Sequence, residues 1–400
     1  MNIIVGSSSP PDKGSGINTY CREIMLELRR RGLRVFFAGP APEDRSWIDE
    51  HKISLLELGP LQTPMEAIDI ILKCSAQENI NAVINNDNPY IQAAAPLLKV
   101  PMISVTHLSK TSIFALAAFN HQWVDYVVAI SNQMRDKLII KKHIPPHKVP
   151  VIYNGIDDLF KASKADHSDG SVNKPIRLVF NGGDNYRKGA DLLLMAVEQK
   201  TPLWESFEVY WYGDVNKKYR AKLEKLPHIT LRGRVSREVM VQELVEADIF
   251  LLPSRAEGCP MALIESMAAS NLSVVSDGEG AMDTMVTHGF DGYVCNLSSW
   301  PQQLLNCLSH LAANPLLVSS MKERARKAFQ ERYLVQNTVS SLLKLIEFPT
   351  VDRKNEVANA DLLRWHRPLL ANSNKAPFLD RLAIRAGYLR KKGKALATST

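Results

Sequence analysis

Short runs of β-branched and aromatic residues alternate along this chain with longer segments whose apolar positions recur at helical spacing. Ile3–Val5 opens the pattern as a strand. The next segment sets Ile17, Tyr20, Cys21, Ile24 and Leu28 on one face, and Gly32 is placed to stop that helix. Arg34–Ala38, Ala82–Asn85, Met102–Val105, Tyr126–Ile130 and Val149–Tyr153 repeat the strand signal at intervals that leave room for crossover helices. Lys161–Lys174 has no apolar period and reads as an exposed linker. The pattern then restarts with Ile176–Phe180, Glu208–Trp211, Ile229–Leu231, Asp248–Leu252 and Leu272–Val275, and a helix is expected near Leu316–Glu347. Alternation of this kind predicts an α/β protein of two doubly wound, Rossmann-like domains with parallel sheets. The expected division is 1–160, a linker over 161–174, 175–330, a region crossing back over 331–348, and a tail over 349–400.

The length of 400 residues agrees with two cores rather than one. A hydrophobic content of 45% and a charged content of 23% exclude a wholly disordered chain, a collagen-like fibre and a multi-span membrane protein. Charge changes the picture only at the end. The net charge is +7, and 349–400 alone carries eleven basic and four acidic residues, so the body is neutral. Within 364–394, Phe378, Leu379, Leu382, Ala386 and Leu389 share a face while Arg381, Arg385 and Lys392 supply charge. Such a basic amphipathic helix suits either an anionic membrane surface or packing back on the body. A neutral body without a recognised binding motif argues against a nucleic-acid partner. Five scattered cysteines without a C-x-x-C predict neither a disulfide framework nor a zinc site, and fit a reducing compartment. The N-terminal apolar run is too short for a signal peptide, and Ser112–Ile130 is too polar to span a bilayer. The expected location is the cytoplasm, peripheral at the inner membrane face if the tail binds there.

The densest candidate chemistry is Pro253–Ala268, PSRAEGCPMALIESMA, directly after a strand. Pro260 suits the first turn of a helix, and the N–H groups of Met261, Ala262 and Leu263 at its start suit a phosphate. Glu257 before the helix and Glu265 within it bracket that anion site. Carboxylates so placed are suited to sugar hydroxyls, each charged hydrogen bond contributing about 1.5–3 kcal/mol. Asn181–Gly189, NGGDNYRKG, opens the following helix, with Arg187 and Lys188 suited to neutralise a diphosphate. His107 lies just past a strand, where parallel sheets place ligands. Gly14 and Gly16 before the first helix allow close approach of an anion. Thr19 stands where a nicotinamide-binding fingerprint needs a third glycine, and Phe37-Ala38 where it needs an acid, so a dehydrogenase is discounted. No D-x-D and no cluster with metal spacing occurs, so no metal or other cofactor is expected.

On these residues the chain resembles glycosyltransferase family 4, retaining enzymes of the GT-B fold. Glu257 and Glu265 match the family's E-x7-E motif, and Val151–Asp157 (VIYNGID) matches its N-G-[VI]-D segment. Gly213-Asp214 and Arg232–Val235 fall where the family has a post-strand glycine and its nucleotide-base loop. Asp277–Met285 resembles its Gly-x-x-Glu turn, with Asp283 in place of Glu. The resemblance implies two domains facing each other across a cleft. It implies transfer of a sugar, with retention and without metal, from a nucleotide-diphosphate-sugar donor to a saccharide or lipid-linked acceptor. Lys188 and Arg187 would then hold the diphosphate with the N–H groups of Met261–Leu263, Glu265 the ribose, and Val235 would lie at the base. Glu257 would hold the sugar hydroxyls, with His107 and Gly16 beside the reacting carbon. The family's usual arginine falls at Gly183, so Arg187 is expected to substitute from a neighbouring position. The family and the basic tail together suggest cell-surface polysaccharide or lipopolysaccharide assembly. A GT-B nucleotide-sugar epimerase and a non-catalytic sugar-nucleotide-binding subunit share these features. Reaction of the donor without an acceptor would mark the first, and binding without turnover the second.

Overall fold

The computed structural model describes residues 1–352 except Lys13, 60–62, 108–110 and 159–174, and leaves out the side chains of 111–113. The Lys161–Lys174 stretch and the 364–394 segment therefore lie outside the described residues. The chain forms two units. One comprises Met1–Ala129, Met134–Ile152 and the residues from Val339 onward, and the other Ile130–Gln133 with Tyr153–Thr338.

The first unit is built on β1 (Asn2–Ser7), β2 (Arg34–Gly39), β3 (Ser54–Glu57), β4 (Ala82–Asn86), β5 (Met102–Thr106) and β6 (Tyr126–Ala129). They form one all-parallel sheet in the order β3-β2-β1-β4-β5-β6. Its helices are α1 (Gly16–Arg30), α2 (Ser46–Glu50), α3 (Pro64–Gln77), α4 (Pro89–Ala94), α5 (Thr111–Ala118) and α6 (Asn132–Lys142). Local sequence explains several of their starts. Ser15 caps α1, Thr63 and Glu66 form a reciprocal capping box on α3, and Asn88 caps α4 just before Pro89. Tyr20, Cys21, Ile24 and Leu28 of α1 are all buried, as their spacing predicts.

The second unit repeats the plan with β7 (Ile176–Asn181), β8 (Phe207–Tyr212), β9 (Ile229–Gly233), β10 (Ile249–Leu252), β11 (Leu272–Ser276) and β12 (Gly292–Cys295). The order is β12-β11-β10-β7-β8-β9, again all parallel. Around it run α7 (Ala190–Val197), α8 (Lys217–Leu223), α9 (Arg237–Val245), α10 (Met261–Ala268), α11 (Met282–Met285), α12 (Trp300–Ala313), α13 (Pro315–Arg332) and α14 (Val335–Glu347), the last continuing into the first unit from Val339. A buried ion pair, Arg326 Nη2 to Asp158 Oδ2 at 2.6 Å, ties α13 to the start of this unit.

Four elements differ from the sequence reading. The edge strands β3 (SLLE) and β12 (GYVC) carry no strong strand signal, because polar residues flank the leucine pair of the first and a glycine opens the second. Val149–Tyr153 is not a strand: only Val151 bridges to Ala129, and Pro150, between Val149 and Val151, has no N–H to give. The helix expected over Leu316–Glu347 is two helices. The chain extends at Leu334 to bridge Ile156, whose N–H donates to Tyr333 O and whose carbonyl accepts from Val335 N. No helix among the described residues is long and apolar enough to cross a membrane.

In both sheets the strand order reverses once, between β1 and β4 in the first and between β7 and β10 in the second. In open parallel sheets, ligands bind outside the carboxyl ends of the strands at this reversal.

Candidate active site

At the reversal in the second unit, two loops meet. The β7 loop begins with Gly182 and Gly183, whose N–H groups both donate to Tyr212 O, at 3.2 and 2.8 Å. Gly183 has a φ of +56°, and a Cβ there would lie 2.4 Å from Asp214 O. The position at which the family carries an arginine is thus closed to any side chain. Asn185 Oδ1 then accepts from Arg187 N and Lys188 N, folding Tyr186–Lys188 into one tight turn. The β10 loop is stitched to this turn. Arg255 N donates to Arg187 O at 2.8 Å, and the Arg255 guanidinium lies 3.7 Å over the Tyr186 ring while pairing with Asp191.

These loops converge on Glu257. Lys188 Nζ donates to Glu257 Oε1 at 2.6 Å, and Ser254 Oγ donates to the same oxygen at 2.8 Å. Arg187 Nη1 reaches Oε2 at 3.2 Å and the Ala256 carbonyl at 2.6 Å. The Glu257 side chain is only 8% exposed, while Arg187 is 48% exposed. Burial pushes the Glu257 carboxyl up, but Lys188 and Arg187, with the hydrogen bonds from Lys188 and Ser254, outweigh it and hold it below the usual carboxylate range. Behind Glu257 the Asp277–Gly280 segment supplies a floor: Glu257 N donates to Glu279 O at 2.7 Å. Gly280 (φ +129°) passes so close that a Cβ would overlap Glu257 O. Asp283, in the family's Glu position, is exposed on α11.

The start of α10 differs in detail from the sequence reading. Pro260 occupies the capping position (φ −69°, ψ 114°), outside the helix rather than in its first turn. Leu263 N already donates to Pro260 O at 3.1 Å, so the N–H groups aimed past the helix start are those of Met261 and Ala262. Glu265, one turn further on, accepts from Arg237 Nε at 3.1 Å. The expected Arg232–Val235 loop is in part strand, since Arg232 and Gly233 end β9. Arg237 opens α9 after the short loop 234–236 that follows, and was missed by the sequence reading, since an arginine in a helix's first turn carries no distinguishing pattern. Val235 is half-buried in that loop, and Arg234 pairs on the surface with Asp214 at 2.7 Å.

In the first unit, the reversal gathers polar groups from the ends of β1, β4 and β5. His107 Nε2 lies 3.0 Å from Asn86 Oδ1 and packs edge-on against Tyr20, ring centroids 4.7 Å apart. Burial pushes its imidazole down to about 3, so at neutral pH His107 is uncharged and donates its Nε2–H to Asn86. Asn86 Nδ2 and Thr106 Oγ1 are buried without a protein partner. Gly16 is exposed at the start of α1 beside its Ser15 cap. Asp87, which the sequence reading did not single out, follows β4 in a left-handed conformation (φ 65°) and accepts from Ser8 N at 3.1 Å. Burial raises its carboxyl to about 6. Among the described residues no group of three or more His, Cys, Asp and Glu side chains could hold a metal ion.

Two doubly wound units, each built on a six-stranded all-parallel sheet, are the architecture of the GT-B class of glycosyltransferases. The model of Glycosyltransferase Family 4 matches residues 14–158, and that of Glycosyl transferases group 1 matches 175–314. The chain belongs to glycosyltransferase family 4 and is a glycosyltransferase. It is 25% identical over 260 residues to an uncharacterized glycosyltransferase of Methanocaldococcus jannaschii, covering 62% of this chain and 69% of that one. It is 24% identical over 259 residues to the GPI3 subunit of phosphatidylinositol N-acetylglucosaminyltransferase of Saccharomyces cerevisiae, covering 61% of this chain and 57% of that one. The amylovoran biosynthesis glycosyltransferase AmsK of Erwinia amylovora is 27% identical over 183 residues, 42% of this chain and 43% of that one. Among solved structures, a glycosyltransferase from Rickettsia africae superposes with a TM-score of 0.70 at 17% identity, over 86% of this chain and 97% of that one. Anabaena HepE in complex with UDP gives 0.72 at 16% identity, over 87% and 100%. These superpositions show the shared fold.

Proposed function

We propose that this enzyme transfers a sugar from a nucleotide-diphosphate-sugar donor to a hydroxyl of a saccharide or lipid-linked acceptor, with retention of configuration and without a bound metal. The observation that carries the reading is the Lys188–Glu257–Arg187 cluster beside the start of α10. A diphosphate at that helix start meets two free N–H groups, the positive end of the helix dipole and two cations. Its arrival draws Lys188, and Arg187 with it, from Glu257 onto phosphate oxygens. Glu257, relieved of these partners, accepts hydrogen bonds from the sugar hydroxyls. Glu265, steadied by Arg237, takes the ribose, and the Val235 loop borders the base. Negative charge building on the departing phosphate is stabilised by groups already in place, the effect that contributes most in such sites. The phosphate oxygen itself takes the acceptor's proton, so no separate base is assigned. We assign the acceptor to the first unit, where neutral His107 acts as a hydrogen-bonding group rather than as an acid.

The UDP and UDP-glucose complexes of HepE support UDP as the first nucleotide to test. The name of the phosphatidylinositol relative supports a lipid acceptor, and that of the amylovoran relative a place in a biosynthetic assembly. We assign that assembly to cell-surface polysaccharide or lipopolysaccharide at the inner membrane face. The test is a thermal-shift and turnover screen against UDP-, GDP-, ADP- and CMP-sugars in EDTA. A donor at a hundred times its Kd stabilises by about 2.7 kcal/mol. A shift with one base, lost in Lys188→Ala, supports the reading. No shift with any donor, or full turnover in Lys188→Ala, overturns it.

A further inference from the structure

Cys295 and Cys307 are twelve residues apart in sequence, with no C-x-x-C spacing to announce them, yet their Sγ atoms lie 3.9 Å apart. Cys295 is buried at the end of β12, and Cys307 is partly exposed on α12. The other three cysteines, Cys21, Cys74 and Cys259, are buried and have no cysteine partner within hydrogen-bond reach. A disulfide needs its sulfurs about 2.05 Å apart, so closing this pair takes an approach of roughly 2 Å, within a small shift of two side chains.

We propose that Cys295 and Cys307 form a modification site, a dithiol that a disulfide oxidant such as oxidised glutathione converts into an intramolecular disulfide fastening α12 to the end of β12. The hydrogen bond between the two groups holds the Cys307 thiol below the usual range and, with burial, pushes that of Cys295 up. Cys307, the accessible member, is therefore the attacking thiolate. It displaces one glutathione thiolate from the oxidised dimer and forms a mixed disulfide. Cys295 then loses its proton and attacks the Cys307 sulfur, expelling the second glutathione. The protein gives up two electrons and two protons, and one glutathione disulfide becomes two glutathione thiols.

The site sits behind the Glu257 floor. The Cys295 carbonyl accepts from Asp277 N at 2.9 Å, and Asp277 in turn accepts from Asn296 Nδ2 and Leu297 N, at 2.9 and 2.7 Å. Asp277 opens the segment whose Glu279 carbonyl holds Glu257 N. In a reducing compartment the pair stays open, so the bond reports oxidation.

The experiment incubates the reduced full-length protein with a series of reduced-to-oxidised glutathione ratios, traps free thiols by alkylation after unfolding, and reads the intact mass. The expected result is loss of two alkylatable thiols and of two hydrogens, about 2 Da, fully reversed by dithiothreitol. Fragments cleaved between the two cysteines should stay joined until reduction. Cys295→Ser should instead accumulate a stable glutathione adduct on Cys307, and Cys307→Ser should keep all its remaining thiols. A stable adduct on Cys307 in the unsubstituted protein, or five free thiols at every ratio, would overturn the proposal. Neither outcome touches the sugar-transfer reading.

Discussion

Glu257→Gln removes the charge that holds Lys188 at 2.6 Å and Arg187 at 3.2 Å, while keeping the shape of the side chain and its Ser254 hydrogen bond. In the donor site proposed above, a nucleoside diphosphate competes with Glu257 for both cations. A hydrogen bond to a charged group contributes about 1.5–3 kcal/mol net, and 1.4 kcal/mol is tenfold in affinity. Releasing one such bond should tighten UDP binding by about tenfold or more. The intact donor gains less, because its sugar hydroxyls lose the charged acceptor they would bind. The variant should therefore bind UDP more tightly, discriminate less between UDP and UDP-glucose, and transfer sugar at a small fraction of the normal rate. Titration calorimetry of both ligands with both proteins, beside a turnover assay, reads all three. Glu257→Gln protein that binds UDP no more tightly than the parent would refute the competition argument, whatever happens to turnover.

Two further substitutions test the packing around the two reversals. Asp87 has a folded value of about 6 against an ordinary 3.8, so between these pH values the folded state binds more protons and stability falls as pH rises. The cost is complete above pH ~6 and, for this half-buried group, about 1–3 kcal/mol. Asp87→Asn should therefore be more stable than the parent by that amount at pH 8 in urea unfolding, the gain shrinking toward pH 4. A gain independent of pH would show that Asp87 carries no such penalty. Gly183→Arg, which restores the family's side chain, should destabilise the second unit by about 1–3 kcal/mol without improving donor affinity, because the backbone there is left-handed and Asp214 O fills the space. Wild-type stability in that variant would show that the loop can rearrange to accept it.

Much of this protein was legible in the chain. The strand Ile249–Leu252 (IFLL) announces itself because a parallel strand buried on both faces reads as a continuous apolar run. The stripe of α1 is equally legible, since burial of one helix face imposes a fixed period. Family motifs named Lys188, Glu257, Glu265 and His107 one at a time. Long-range contacts decided the rest. β3 and β12 exist because a neighbouring strand completes their hydrogen bonds, and the break at Leu334 exists because Ile156, far back in sequence, takes over its backbone. Lys188 and Glu257 are 69 residues apart and become partners only when two loops pack at one sheet reversal. Asp87 gains its raised carboxyl, and Cys295 its neighbour, in the same way. Sequence periodicity records which side of an element is buried. It does not record which distant side chain occupies the space on the other side, and in this molecule the charges and thiols take their properties from that neighbour.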